Sequence, residues 1–226
     1  MIKKLVSIDC GYRNFATALA HVSECGTRAE IVKADVSDVL NGKRKRSNFL
    51  MVEAVVGHLR TLLESWEVRA CDQPSFVCEQ QVKGCNIPIG YAVMGFALGA
   101  FPQSKFVFMP AKKKFVGAEF STAPNLKQAA IDECRRLIEQ TKSNPESCRV
   151  KISDETRLTF LNLRKKDDIS DCVLQVQSTL AQQQEKQQKN NGANKRVNEV
   201  RKGKASRCPE PHEQCVGGDE DSGDVV

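Results

Sequence analysis

The sequence has 226 residues, 40% of them hydrophobic, and 34 basic against 28 acidic side chains give it a net charge of +6. This length allows one ordinary folded domain with an appendage and excludes two large domains. The ten cysteines are scattered and too few for a disulfide-stabilised scaffold, so we expect reduced thiols.

The chain shows no signal for membrane insertion or export. No stretch approaches the roughly 18 apolar residues that cross a bilayer, and the start of the chain lacks the apolar region of a signal peptide. We therefore expect an intracellular protein without membrane association, located in the cytoplasm or the nucleus.

The first elements of the chain are predicted to be strands. Residues 2–9, 15–22 and 28–36 are apolar segments separated by short turns, a spacing typical of an antiparallel meander. After a basic run at 43–46, apolar residues from Leu50 to Leu63 recur at helical spacing.

The rest of the chain alternates between strands and helices. The pattern predicts strands over 75–79 and 105–109, and helices over 89–101, 125–140 and about 168–181. The whole order predicts an α/β domain with a five-stranded mixed sheet, antiparallel in its first three strands and flanked by helices.

The composition changes after Ala181. Residues 182–226 are polar, basic as far as 207 and acidic from 208, and contain too few apolar side chains to offset the entropy of ordering. We expect a folded domain over 1–181 and a disordered tail over 182–226. A basic domain followed by a basic segment favours a polyanionic partner.

Four acidic residues occupy positions from which they can meet. Asp9 ends the first strand, Glu79 ends the fourth, and Asp168 and Asp171 lie on one face at the start of the last helix. If the first and fourth strands are neighbours, all four converge at one sheet edge. Clustered carboxylates without histidine or cysteine partners suit Mg²⁺ or Mn²⁺, and two such ions support phosphodiester hydrolysis.

Each of these acids also has a purely structural interpretation. Asp9 stands where a turn-forming residue is common. Asp168 and Asp171 are placed to complement the helix macrodipole. Glu79 is harder to explain structurally, because it follows an apolar Phe76–Cys78 segment. The combination, rather than any single acid, favours a metal site.

The acidic residues lie in three short motifs, which are Ser7–Asn14, Cys78–Gln81 and Lys165–Cys172. These motifs resemble those of RuvC-type Holliday junction resolvases. Their order and approximate spacing are kept over roughly residues 1–181. The likeness is greatest to the poxvirus branch, which extends to other large DNA viruses.

This resemblance implies a ribonuclease H-like fold, a homodimer and paired nicks across a four-way DNA junction, with two Mg²⁺ or Mn²⁺ ions per active site. It assigns the catalytic and metal-ligand roles to Asp9, Glu79, Asp168 and Asp171. Asp168 is preferred to its neighbour Asp167 because its spacing to Asp171 matches the family's Asp-x-x-Asp motif. For a viral chain, it also implies action in the cytoplasm or nucleus of an infected cell.

Several lysines are candidates for DNA contact. The segment Met109–Gly117 resembles a family region after the fifth strand, so Lys112 and Lys113 are expected to contact phosphates. Lys127 falls where a family lysine opens the next helix, and Lys166 stands where bacterial members have histidine. The lysines after the fifth strand also fit a solvated loop, and the basic run at 43–46 fits a DNA contact, a nuclear-import signal or exposed charge.

Other functions fit parts of the pattern. A non-catalytic protein that binds branched nucleic acid would use the same fold, although unpaired acids would repel its ligand. Ribonuclease H-like nucleases that cut flaps or RNA–DNA hybrids would use the same acids. An actin-like or sugar-kinase ATPase half would need a second comparable lobe, and a chain of 226 residues with a polar tail is too short to supply one.

Overall fold

The computed structural model describes residues 2–11, 13–40, 47–81, 84, 86–115 and 125–205, with side chains described up to residue 189. The basic run at 43–46, residues 116 and 117 of the lysine-rich segment, and 206–226 lie outside the described residues. The chain divides into two compact units, Met1–Lys186 and Gln187–Val226.

The first unit is built on a sheet covered by helices. The strands are β1 (Lys3–Asp9), β2 (Phe15–Val22), β3 (Ala29–Ser37), β4 (Ser75–Gln80), β5 (Lys105–Pro110) and β6 (Val150–Ile152). The helices are α1 (Asn48–Ser65), α2 (Asn86–Ala100), α3 (Leu126–Ser143), α4 (Asp154–Asn162) and α5 (Asp167–Ala205).

The sheet has the strand order β5-β4-β1-β2-β3-β6. The β1–β2 and β2–β3 pairs are antiparallel, whereas the β1–β4, β4–β5 and β3–β6 pairs are parallel. The predicted α/β fold with an antiparallel meander is therefore confirmed. It also follows that β1 and β4 are neighbours and end at the same edge.

Side-chain alternation along β1 divides the core into two layers. Leu5 lies in an apolar cluster with Cys172 and Val176 of α5, whereas Val6 and Ile8 lie in a second cluster with α1 and α2. Successive side chains of a strand point to opposite faces of its sheet. Asp9, two residues beyond Ser7 and four beyond Leu5, therefore belongs to the face that α5 covers.

Helix α1 shows why the sequence forms its helices where it does. The Ser47 side chain accepts a hydrogen bond from the Leu50 backbone N–H, which caps the first turn. Met51, Val55, Leu59 and Leu63 are buried at four-residue intervals, so one face of the helix packs against the sheet.

Two predictions about the elements need correction. Among the described residues the sheet has six strands rather than five, because Val150–Ile152 pairs with β3, and α4, which was not predicted, follows it. A three-residue strand is too short to show a period in sequence. Helix α5 ends at Ala205 instead of about Ala181, because Gln, Lys, Glu and Ala are good helix formers. The division between domain and tail stays a prediction.

Within the described part of the chain, none of the helices combines the length and the apolar character needed to cross a membrane.

Candidate active site

Strand pairing brings Asp9 and Glu79 together. In the parallel β1–β4 pair, Ile8 lies opposite Cys78, so the acid that follows each residue reaches the same edge. Val77 lies in the core layer on the α5 side, and Glu79 is two residues further along β4. Both carboxylates therefore emerge on the face covered by α5.

Helix α5 supplies the third acid and is fixed to β1 by buried hydrogen bonds. The Ser7 hydroxyl lies 3.0 Å from the Cys172 carbonyl oxygen and 3.1 Å from the Gln175 side-chain oxygen, and either can accept its single proton. The Gln175 amide donates in turn to the Ile8 carbonyl at 3.4 Å. These contacts set the height of Asp171 above the strand ends.

The three carboxylates form one cluster. One oxygen from each of Asp9, Glu79 and Asp171 lies within 4.8 Å of the other two. Oxygen ligands at this spacing fit a divalent cation such as Mg²⁺ or Mn²⁺ rather than Zn²⁺, which favours nitrogen and sulfur ligands. The donor set therefore fits the metal that the sequence pattern implies.

The pKa values of the acids follow from this convergence. Burial, followed by the charges of Glu79 and Asp171, raises the pKa of Asp9 to about 8. Burial also raises the pKa of Asp171, although the nearby Lys114 partly offsets the effect. A cation in the cluster would reverse both effects, because it favours the charged forms.

Lys114 lies between two of the acids. Its Nζ is 2.9 Å from a Glu79 oxygen and 2.7 Å from an Asp171 oxygen, and only 8% of the residue is exposed. Burial lowers its pKa, but Asp171 and Glu79 outweigh burial, so the net pKa is raised. The ammonium group neutralises part of the cluster in the protein without metal.

Sequence reasoning missed Lys114. It selected Lys112 and Lys113 from the same lysine run, and nothing in three consecutive lysines distinguishes the buried one. A short 3-10 turn over Ala111–Phe115 makes the difference, because it directs Lys114 inward and leaves Lys112 and Lys113 exposed. The sequence signal that could have distinguished Lys114 is the apolar Phe115 next to it, which is buried in the structure.

Asp168 does not belong to the three-acid cluster found among the described residues. It forms an ion pair with Lys165, whose Nζ is 2.6 Å from one of its oxygens. Burial raises the pKa of Asp168, and Lys165 opposes that rise. Its charge still contributes to the raised pKa of Asp9, so it is a near neighbour of the cluster.

The other predicted lysines have different surroundings. Lys127 is largely exposed and forms an ion pair of 3.0 Å with Asp167. The Lys166 Nζ donates to the backbone carbonyls of Leu161 and Leu163 and lies over the Phe160 ring. Lys166 therefore caps the end of α4 in this structure.

A cavity of about 240 Å³ opens beside the cluster. Its lining includes the acids Glu79 and Asp171 and the lysines Lys112, Lys114 and Lys127. A phosphate group bound there would meet cationic side chains while the acids hold its counterions. The predicted contacts of Lys112 and Lys127 with phosphate stay predictions, but both lie at this cavity.

The fold is similar to those of solved resolvases. The yeast mitochondrial Holliday junction resolvase matches with a TM-score of 0.57 and 16% identity, over 85% of this chain and 86% of that one. Fowlpox virus resolvase in complex with substrate Holliday junction DNA matches with a TM-score of 0.54 and 18% identity, over 80% of this chain and 98% of that one.

The chain has the fold of the RuvC-like Holliday junction resolvases. The resolvase of fowlpox virus without DNA matches similarly, with a TM-score of 0.53, 17% identity and coverage of 80% of this chain and 99% of that one. No protein-family model and no curated protein matches the sequence. The ribonuclease H-like fold expected from the acidic motifs is thus confirmed, with β6 as an additional strand.

Proposed function

We propose that this protein is a structure-selective endodeoxyribonuclease that resolves four-way DNA junctions by paired, metal-dependent hydrolysis of phosphodiester bonds. The convergence of Asp9, Glu79 and Asp171 from three separate elements carries the proposal. A resolvase fold by itself is compatible with several functions. Buried carboxylates that repel one another are a cost to folding, and metal-assisted catalysis accounts for that cost.

The three clustered acids would hold one divalent cation, and Asp168 would complete the ligand set for a second. Mg²⁺ or Mn²⁺ at such a site activates a water molecule and stabilises the leaving oxygen of a phosphodiester. The protein contributes rigidity, because β1, β4 and α5 fix the acids from well-packed positions.

Lys114 has two roles in this proposal. Without metal, it limits the repulsion between Glu79 and Asp171. With metal bound, its ammonium group would be released towards the cavity, where it would contact the phosphate together with Lys112 and Lys127. Lysine suits this role as a compact charge on a flexible stem.

The proposed partner is branched DNA. The fold is shared with a fowlpox virus resolvase solved with its substrate Holliday junction, and the chain has an excess of basic residues. A phosphate-binding surface of this kind gives affinity that falls with salt. We place the activity in the cytoplasm or nucleus, and in an infected cell if the chain is viral.

Paired nicks require two active sites, so we propose a homodimer. Helix α2 offers a surface for it, because its sequence contains no charged residue and exposes Tyr91 and Leu98. Exposed apolar helix faces are typical of protein interfaces.

Leu98→Glu should give monomers by light scattering and lose paired incision, whereas Leu158→Glu, on the exposed side of α4, should remain dimeric. A dimeric Leu98→Glu variant would exclude this surface.

A cleavage assay tests the proposed function. Labelled four-way junction, flap, RNA–DNA hybrid and linear duplex are incubated with the protein and Mg²⁺ or Mn²⁺. We expect symmetric nicks in the junction, loss of cleavage on addition of EDTA, and about 1,000-fold slower cleavage by Glu79→Gln. Glu155→Gln, an exposed acid paired with Lys33, is the matched control and should cleave normally.

The same panel separates the alternatives. Tight junction binding without cleavage at any metal concentration would indicate a non-catalytic binding protein. Faster cleavage of flaps or hybrids than of junctions would keep the active site but change the substrate. Cleavage by Glu79→Gln at the normal rate would remove the carboxylate cluster from the mechanism.

A further inference from the structure

Two thiols lie directly beneath the acid cluster. Cys10 follows Asp9 in the sequence, and Cys78 precedes Glu79. Their Sγ atoms are 3.2 Å apart, and both residues are fully buried. The two cysteines thus face each other across the ends of β1 and β4.

The thiols and the acids occupy opposite faces of the same strand ends. Cys10 and Cys78 belong to the apolar cluster on the α1 and α2 side, with Ile8 and Phe76. The chain turns sharply after Cys10, since a Cβ on Gly11 would lie 2.7 Å from the Asn14 carbonyl oxygen. This tight turn fixes Cys10 against its partner.

We propose that Cys10 and Cys78 form an oxidisable dithiol site, which a peroxide converts to a disulfide that inactivates the acid cluster. The bond itself depends only on the geometry of the two thiols. Its effect on cleavage rests on the proposed function. A reducing compartment would keep both thiols reduced and the enzyme active, whereas oxidative conditions would form the disulfide and inactivate it.

The oxidation balances with hydrogen peroxide as the two-electron acceptor. One Cys sulfur attacks a peroxide oxygen, the O–O bond breaks, and a sulfenic acid and one water form. The second sulfur attacks the sulfenic sulfur, forming the S–S bond and releasing a second water. Two thiols and one peroxide thus give one disulfide and two waters.

The bond would change the distances that the acids require. A disulfide has an S–S length of about 2.0 Å, so the two sulfurs, now 3.2 Å apart, must approach by roughly 1 Å. Asp9 and Glu79 are the adjacent residues and would move with their strand ends. Displacements of about 1 Å in a catalytic site cost about 100-fold in rate.

The test compares the bond and the activity in the same samples. Metal-free full-length protein is treated with hydrogen peroxide, quenched, unfolded and alkylated, and its peptides are mapped by mass spectrometry without reduction. In parallel, junction cleavage is measured before and after treatment with dithiothreitol. The matched variants are Cys10→Ser, which lacks the site, and Cys71→Ser, which lacks an exposed cysteine elsewhere.

We expect a Cys10–Cys78 linked peptide, about 100-fold slower cleavage by the oxidised protein, and recovery with dithiothreitol. Cys71→Ser should behave like the parent, and Cys10→Ser should resist peroxide. The proposal is wrong if both thiols remain free for alkylation after peroxide treatment, or if Cys78 links to the buried Cys172 instead. It is also wrong if peroxide inactivates Cys10→Ser as much as it inactivates the parent protein. A protein that cleaves nothing when reduced would defeat the proposed function, while the peptide map would still decide whether the bond forms.

Discussion

The acid cluster and the start of α5 contain similar residues in different surroundings. Asp9, Glu79 and Asp171 come from three elements, and two of them, Glu79 and Asp171, share the buried Lys114. Asp167 and Asp168, in contrast, are adjacent and pair with Lys127 and Lys165. Because these pairs hold a largely exposed Lys127 and a half-exposed Lys165, they are of the kind that contributes little to stability. The cluster is constrained by the whole fold, so its repulsion persists until a cation arrives.

This contrast appears in the pKa values. Burial and neighbouring acids raise the pKa of Asp9 to about 8. At Asp167, burial acts in the same direction, but the hydrogen bond from Lys127 and the charge of Lys165 outweigh it and lower the pKa. Nearby lysines thus neutralise the charge of Asp167 at the start of the helix. The acids that the fold brings together from separate elements repel one another, and a bound metal ion would relieve that repulsion.

Substitutions of Asp168 and Asp167 should differ strongly in their effect on the rate of cleavage. If Asp168 is a ligand, Asp168→Asn should slow junction cleavage about 1,000-fold, because a metal ligand is lost. Asp167→Asn changes only a neighbour of the site and should slow junction cleavage by about 10-fold or less. Single-turnover cleavage in Mg²⁺ measures both variants. The reverse order of effects would move the assignment to Asp167.

The next effect concerns the stability of the cluster without metal. Lys114→Ala leaves Glu79 and Asp171 without their shared partner, so the free energy of unfolding should fall by about 3 kcal/mol in EDTA. Mg²⁺ should restore most of the loss. Lys113→Ala, at the exposed neighbouring position, should change stability by less than about 0.5 kcal/mol. Equal effects of the two substitutions in urea unfolding would contradict the role given to Lys114.

A smaller effect is the dependence of stability on pH. The pKa of Asp9 rises from 3.8 to about 8 on folding, so the folded protein holds more protons between these values. Stability without metal should therefore fall as the pH rises through that range. Asp9→Asn should be more stable than the parent near pH 8, and the difference should shrink towards about pH 4 in urea unfolding with EDTA.

Asp72 provides the control for this pH effect. A hydrogen bond from Lys4 lowers the pKa of Asp72, so its stabilising contribution is present above the ordinary carboxyl pKa and is lost as the pH falls. Asp72→Asn should therefore differ from the parent in the opposite sense to Asp9→Asn. An Asp9→Asn variant that is less stable than the parent at every pH would show that the Asp9 carboxyl is not strained.

The smallest expected effect is at Lys127. Its ion pair with Asp167 is largely exposed, so Lys127→Ala should reduce stability by no more than about 0.5 kcal/mol. If Lys127 contacts phosphate, the slope of log affinity against log salt should become less steep by about 1. Junction binding in Ca²⁺ at several salt concentrations measures the slope, and an unchanged slope would remove Lys127 from the DNA interface.

The sequence predicted the order of the elements apart from β6 and α4, and it predicted which acids stand at the ends of β1 and β4. Those predictions succeed because apolar periodicity is a local property and each acid lies at the end of a recognisable strand. The orientation of Lys114, the three-residue β6 and the continuation of α5 depend on packing or on weak local preferences, which periodicity does not show. The sequence pattern likewise does not show that Asp168 pairs with Lys165 and lies outside the three-acid cluster found among the described residues.

Diffraction from a crystal soaked in Mn²⁺ would locate the bound ion by its anomalous signal, without reference to activity. We expect a Mn²⁺ peak bound by Asp9, Glu79 and Asp171 at about 2.2 Å, with the Lys114 amine displaced from between the acids. Crystals that take up Mn²⁺ only elsewhere, with Lys114 still bridging Glu79 and Asp171, would contradict a metal site at the three acids.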